Sequence, residues 1–378
     1  MSDRIVLHIG AMKTGTTFLQ TTLERNHELL AAAGVDFTGN RFAYQTRAVS
    51  AVLKGPKERG RRYKKWRKLV RAARQAEQEV SVVSMEFLSF ADDRQIKQLL
   101  KPLKGMRVEV VMTVRDQLQV APAQWQTYCR NNGTSDWGTY LREIEPGPFG
   151  RDRKNDAYRT FHRAQDVDST LRRWAAFKRV RKVHVVTVPG RDAPQDELWN
   201  RFFEAVGVTP PAVDFGVAAP NTSLGYGSCD LLRRLNKYLD DVPGQRYRKG
   251  MRQLAREVLA ERRDIESRPA LDQRGAAYAR SLNQQLRATI AEGGFALHGD
   301  LADLPVPASL DSYDVRSVPV PREETTAAAE AAWHYLTARA AGTGGTADIP
   351  ETPGDPPRSL NGLVRADAEL LRDVHGWH

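Results

Sequence analysis

The sequence predicts an α/β fold, with a parallel sheet flanked by helices and a mainly helical C-terminal half. Two observations carry this expectation. Short β-branched runs alternate with stretches of helical periodicity as far as Val188, as in βα units built around a buried parallel sheet. The first of these runs also stops at a glycine-bracketed turn that opens directly onto a helical pattern. The 378 residues are enough for one large α/β domain or two modest ones. A domain over residues 1–304 is expected, followed by a Pro/Ala/Gly-rich, partly flexible peripheral tail over residues 305–378 with a short helix near residues 327–341.

Residues 4–9, Arg4-Ile5-Val6-Leu7-His8-Ile9, are mostly apolar and end at Gly10, as a buried strand would. Phe18, Leu19, Thr22, Leu23, His27, Leu29 and Leu30 then recur at helical spacing, and Gly34 supplies a stop. Residues 80–84 form a short β-branched run followed by Met85-Glu86-Phe87-Leu88. Residues 107–114 read as another buried strand ending at Arg115-Asp116, after which Leu118, Ala121, Trp125 and Tyr128 keep helical spacing. A further strand over residues 183–188 ends at Pro189. A helix then opens after Pro194 and closes at Gly207, with Leu198, Phe202, Phe203 and Val206 on its apolar face. Helices are also expected near residues 251–265 and 276–290, and residues 295–304 read as a final packing segment.

The turn after the first strand, Gly10-Ala11-Met12-Lys13-Thr14-Gly15-Thr16-Thr17, has the glycine spacing of a phosphate-binding loop with its lysine displaced. An NTP-binding loop reads G-x-x-x-x-G-K-[ST]. Here Thr16 stands in the lysine's usual place, and Lys13, inside the loop, is the local cation. A strand, a glycine turn and a helix together aim backbone N–H groups and a positive helix end at an anion. The bland alternative is an ordinary βα turn rich in Thr and Gly. The flanking segments favour the anion site, and in this sense the expected sheet is P-loop NTPase-like.

The order Lys-Thr-Gly-Thr-Thr after a first strand resembles that of the sulfotransferases that use 3′-phosphoadenosine 5′-phosphosulfate (PAPS). Residues 7–17 as a whole look like the opening of bacterial members of that superfamily. Many relatives carry Pro before the lysine, where this chain has Met12. In the family, an arginine leaving a later strand and usually a serine on the following helix hold the 3′-phosphate. Arg115 fits the first role, because a guanidinium forks onto phosphate. Taken alone, it would read as a strand-end arginine in a surface ion pair. Ala123 stands where the serine would be, so Gln119, Gln124 or Arg115 with the backbone must supply that bond.

The resemblance thus implies a donor site of Lys13, Thr14, Gly15, Thr16, Thr17 and Arg115. Asn221 and Ser223 join it from a later Asn/Ser segment that could equally be an N-cap. Glu86 is the candidate base. Ligands of open α/β sheets sit beyond the carboxyl ends of the strands, and relatives often carry Ser-x-Glu at this point. A helix N-terminal glutamate capped by Ser84 is the structural alternative, and His8, His162 and Asp116 are reserves. Arg163, Gln165 and Asp166 are candidates to face an acceptor. The implied activity moves a sulfuryl group from PAPS to a hydroxyl or amine of a carbohydrate, lipid or natural-product acceptor, with no metal. Two rivals stand beside it. A P-loop small-molecule kinase or NTPase predicts a lysine at position 16 and a magnesium-holding acid at a strand end. A non-catalytic basic binding protein would retain only a degenerate pocket.

The formal charge is +11, and much of the excess lies in residues 54–74. The segment fits a polyanion-binding face, a nucleic-acid surface or a solvated amphipathic helix with Trp66, Leu69, Val70 and Ala73 inward; the helix is the expected form, and nucleic acid is not an expected partner. Cys129 and Cys229 stand far apart and outside any C-x-x-C, which gives no sign of zinc, a redox centre or a disulfide framework. No stretch approaches membrane-spanning length and no signal peptide is evident, so the expectation is a soluble, cytoplasmic protein of unspecified oligomeric state.

Overall fold

The computed structural model describes residues 2–53, 59–146, 156–215, 223–306, 321–342 and 355–377. These divide into two compact units. The first comprises Met1–Val120, His162–Pro220 and Ala279–Ser309, and the second Ala121–Phe161, Asn221–Tyr278 and Leu310–His378.

The first unit is built on strands β1 (Arg4–His8), β2 (Val35–Phe37), β3 (Val80–Ser84), β4 (Arg107–Val114), β5 (Val180–Thr187) and β6 (Ala296–His298). They form one six-stranded sheet in the order β2-β3-β1-β4-β5-β6. Every pairing is parallel, so the fold is α/β with helices flanking the sheet. Such a sheet is covered on both faces, which explains strands that read as near-continuous apolar runs. Ile5, Leu7, Val83, Val110 and Met112 face one core with Trp66, Leu69 and Trp174. Val6, Val82, Val111 and Val186 face the other with Leu19, Leu23, Phe202 and Phe203.

The chain leaves β1 toward β2 on one side and leaves β4 toward β5 on the other, although β1 and β4 are neighbours. Their carboxyl ends therefore flank a topological switch point, where the two connections diverge and a crevice opens.

Several helices match their sequence signals. Glu197–Val206 ends on Gly207 at φ 73, the left-handed cap that glycine tolerates. In Arg59–Gln75, Trp66, Leu69, Val70 and Ala73 are buried, and the Trp66 Nε1–H donates to the Leu99 carbonyl at 3.0 Å. The single helix expected before Gly34 is two, Thr16–Arg25 and His27–Ala32, broken at Asn26. The final packing segment contains β6.

The second unit is helical, with Trp137–Ile144, Tyr226–Asn236, Gly244–Leu254, Arg322–Gly342 and Leu360–His375 among its elements. The short helix expected near residues 327–341 is longer, and Leu360–His375 is a further helix that the composition did not suggest. Ala328, Ala329, Ala332, Trp333 and Leu336 are buried, as are Leu363, Val364 and Leu371. Small residues let these helices approach closely. A Cβ on Gly227 would lie 2.6 Å from the Glu324 backbone.

Asp367 lies fully buried in Leu360–His375 with no hydrogen-bond partner on either oxygen. Burial raises its pKa from 3.8 to about 8. A carboxyl raised on folding keeps its proton in the native state while the unfolded chain releases it. Its contribution is complete below the unfolded value and is lost as pH rises toward 8, by about 1.4 kcal/mol per pH unit in between. Urea midpoints should therefore fall between pH 5 and 8, and Asp367→Asn should flatten that dependence. An unchanged slope in Asp367→Asn would remove Asp367 as its source.

Candidate functional site

The loop that follows β1 is held from both sides. The Ile9 and Ala11 amides donate to the Val111 and Thr113 carbonyls at 2.9 and 2.8 Å, and the Thr113 amide donates to the Gly10 carbonyl at 2.6 Å. Gly10, Lys13 and Gly15 take φ values of 102, 66 and 78. Two of these left-handed positions are glycine, the residue for which such a backbone carries no steric penalty. Gly10 also has no room for a side chain, because a Cβ there would sit 3.0 Å from Glu86 Cβ. That approach places the start of the Glu86–Phe90 3-10 helix against the loop.

A buried polar chain fixes the loop from beneath. Ser84 Oγ lies 2.7 Å from His8 Nδ1, and His8 Nε2 lies 3.3 Å from Thr113 Oγ1. Thr113 Oγ1 lies 2.6 Å from Thr14 Oγ1 and 3.2 Å from the Gly10 carbonyl, and Thr14 Oγ1 donates to the Ala11 carbonyl at 2.6 Å. Burial lowers the His8 pKa to about 3, so its ring is neutral. One donor order satisfies the set: Ser84 to His8, His8 to Thr113, Thr113 to Thr14 or Gly10, and Thr14 to Ala11. His8 is thus a loop support and not a base. The Thr14 hydroxyl is likewise committed within the loop. Thr113→Val removes the centre of this chain and should destabilise the protein by about 1–3 kcal/mol in denaturant titration, since buried partners lose their bonds.

The helix Thr16–Arg25 begins directly after Gly15, which provides no side-chain cap, and its first turn holds no acidic residue. Its leading N–H groups have no intrahelical acceptors. Thr16 is mostly buried and Thr17 exposed, while Lys13 is half-buried. From the opposite side, Gln165 Nε2 donates to the Met12 carbonyl at 2.9 Å.

Arg115 leaves the carboxyl end of β4, the other lip of the switch point. Its Nη1 reaches the Lys13 carbonyl at 3.4 Å, and its Nη2 donates to Gln119 Oε1 at 2.6 Å. Gln119, not Gln124, is therefore the glutamine that touches this arginine. Burial lowers the Arg115 pKa, and the neighbouring charge of Arg191 adds to the effect. Arg191, in the exposed loop after β5, is a second cation at this edge that spacing alone did not reveal. Asp116 accepts from the Leu118 amide at 2.9 Å and from Asn283 Nδ2 at 2.8 Å. It caps the helix Gln117–Arg130 and is not placed as a base.

Glu86 is half-buried, and its Oε2 accepts from Gln20 Nε2 at 2.7 Å. Ser84 does not cap this turn: Met85 occupies the N-cap position without a side-chain bond, and the Ser84 hydroxyl serves His8. A cleft of about 540 Å³ opens beside the same 3-10 helix, lined by Ser89, Phe90, Arg94, His162, Arg163 and Asp166 among others. The Arg163 guanidinium lies 4.6 Å from the centre of the Phe90 ring. Arg163 and Asp166 thus border this cleft, while Gln165 between them braces the loop.

Asn221 lies outside the described residues. Ser223 is half-buried and belongs to the second unit, where it precedes the helix Tyr226–Asn236. Cys129 and Cys229 are both buried thiols. Among the described residues, no group of three or more His, Cys, Asp or Glu side chains could hold a metal, and no helix is long and apolar enough to cross a membrane.

Compared with known proteins, the chain matches no family model, and no curated protein or solved structure is significantly similar to it.

Proposed function

We propose that this protein transfers a sulfuryl group from PAPS to a hydroxyl or amine of an acceptor. The observation that carries the reading is the position of the loop bearing Lys13 on one lip of the switch point, with Arg115 on the other and Glu86 packed against Gly10. The uncapped first turn, Lys13, Arg115 and Arg191 fit a ligand with two separated anionic groups. PAPS would supply the activated sulfuryl group.

Lys13 and the N–H groups near Gly15 would stabilise charge developing on the bridging oxygen as the S–O bond breaks. Thr16 and Thr17 would add hydroxyl donors at the 5′-phosphate. Arg115 would hold the 3′-phosphate and so fix the sulfur in line with the acceptor. Glu86, oriented by Gln20 through Oε2, would take the acceptor's proton on Oε1 as the new O–S bond forms, leaving 3′-phosphoadenosine 5′-phosphate (PAP). The cleft bordered by Phe90 and Arg163 is the place for the acceptor. Asp116, committed to a helix cap and to Asn283, is a poor magnesium holder, which weighs against the kinase reading.

Transfer of radiolabelled sulfur from PAPS to a panel of sugar, lipid and phenolic acceptors tests the reading. Labelled product is expected; donor binding without transfer to any acceptor would favour a non-catalytic basic binding protein. Glu86→Gln should lower kcat by about 10²–10⁴-fold while leaving PAP affinity nearly unchanged. A rate near wild type would move the base elsewhere.

A further inference from the structure

The helix Arg59–Gln75 has no acidic residue in its 17 positions. Its inner face is fixed in the core by Trp66, Leu69, Val70 and Ala73, so its outer face is held outward. That face presents Lys64, Lys65, Arg67, Lys68 and Arg71, all exposed. Lys64 and Lys68, like Arg67 and Arg71, stand four residues apart on one face, about 6 Å along the axis. Like charges at this spacing destabilise a helix, and surface helices ordinarily interleave acids to relieve it. Among the described residues, none of these five side chains takes part in an ion pair.

Two clefts border the charged ridge. One, of about 540 Å³, is lined by Tyr63, Arg67, Arg71, Lys101 and Pro102 among others. The second, of about 440 Å³, is lined by Tyr44, Lys64, Arg67, Lys68 and Arg71 among others. Arg67 and Arg71 line both and therefore stand on the ridge between them. The Arg74 guanidinium donates to the Pro102 and Lys104 carbonyls just before β4, and the Ser2 amide donates to the Ala76 carbonyl just before β1. The lower end of the stripe thus lies at the amino edge of the sheet, opposite the edge that carries Lys13 and Arg115.

We propose that this face binds a linear acidic polysaccharide along the helix axis, independently of the sulfuryl-transfer site. Regularly spaced sulfates or carboxylates would meet the guanidinium and ammonium groups of the ridge. Sugar rings would rest in the flanking clefts, against Pro102, Ala72 and the aliphatic stems of the basic side chains. Single-stranded nucleic acid fits less well, because it needs open aromatic faces. Trp66 is fully buried, and the Tyr63 and Tyr44 rings that line the clefts are only half-exposed, with the Tyr63 hydroxyl tied to the Gln98 carbonyl at 3.0 Å. A lipid surface fits less well because the apolar side of this helix already faces the core.

The test measures anisotropy of a fluorescein-labelled heparin oligosaccharide with the full chain across a sodium chloride series. Arg67→Glu/Arg71→Glu should weaken binding by at least about tenfold at low salt and reduce the salt slope. Arg246→Glu/Lys249→Glu, exposed on the second unit and equal in charge change, should stay within about twofold of wild type. Equal thermal melts and equal PAP affinity in both variants would show that neither fold nor donor site is the cause. Heparin binding unchanged in Arg67→Glu/Arg71→Glu, or weakened equally by both variants, would overturn the proposal. So would tighter binding of duplex DNA or phosphatidylserine vesicles than of heparin, if lost through the same two arginines.

Discussion

Replacing Lys13 with alanine should abolish measurable sulfuryl transfer, lowering kcat by on the order of 10²–10³-fold or more. The expectation rests on where charge develops. In the proposed reaction, electron density accumulates on the oxygen between sulfur and phosphorus, and Lys13 is the loop cation that would stabilise it. Its backbone is held at φ 66 between Gly10 and Gly15, and the Lys13 carbonyl faces Arg115 at 3.4 Å. The loop conformation is braced by Thr113, Thr14 and Gln165, so Lys13→Ala should keep the fold, with a thermal melt close to that of wild type. PAP affinity should fall far less than kcat, because the missing interaction strengthens only as the bond breaks. Steady-state kinetics with a labelled donor, alongside a thermal melt, checks both halves. An active, stable Lys13→Ala would remove the lysine from the chemistry.

Arg115→Ala should act chiefly on binding. A forked guanidinium–phosphate contact in a half-buried place contributes about 1.5–3 kcal/mol, so PAP affinity should drop by roughly 10–100-fold. The same substitution should scarcely affect binding of an analogue without the 3′-phosphate, which separates a phosphate contact from a general loss of loop order. Arg115→Lys should recover little, since an ammonium cannot form the fork or hold Gln119 in the same way. Equal losses for both analogues would assign Arg115 to loop support through the Lys13 carbonyl.

What the chain disclosed before folding was local. The strand ending at Gly10, the displaced lysine, the arginine closing β4 and the inward stripe of Arg59–Gln75 all lie within short windows, where periodicity and glycine placement speak directly. The supports of the loop were hidden because each is a distant pairing. Gln165 reaches Met12 across 153 positions, and Asn283 reaches Asp116 across 167. Thr113 gives no sequence signal because threonine is an ordinary strand residue, and only its neighbours His8 and Thr14 show that its hydroxyl is structural. Asp116 and His8, reserves for the base in the sequence, are each tied into hydrogen bonds that brace the loop and the helix after β4. β2, of three residues, is too short to leave a period. The alanine-rich helix Arg322–Gly342 shows in the sequence only as a short helix near residues 327–341, and composition does not reveal that its small side chains allow close packing. The interleaved units, each drawn from three separated stretches, leave no linker for composition to mark.

The proposed reaction requires the loop after β1 to receive an adenylyl sulfate instead of a nucleoside triphosphate. Titration calorimetry of the full chain with PAP and, separately, with Mg·ATP tests it most directly. Saturable PAP binding that Lys13→Ala and Arg115→Ala weaken, with Mg·ATP much weaker, is the expected result. Tight Mg·ATP binding with no heat from PAP would contradict the account.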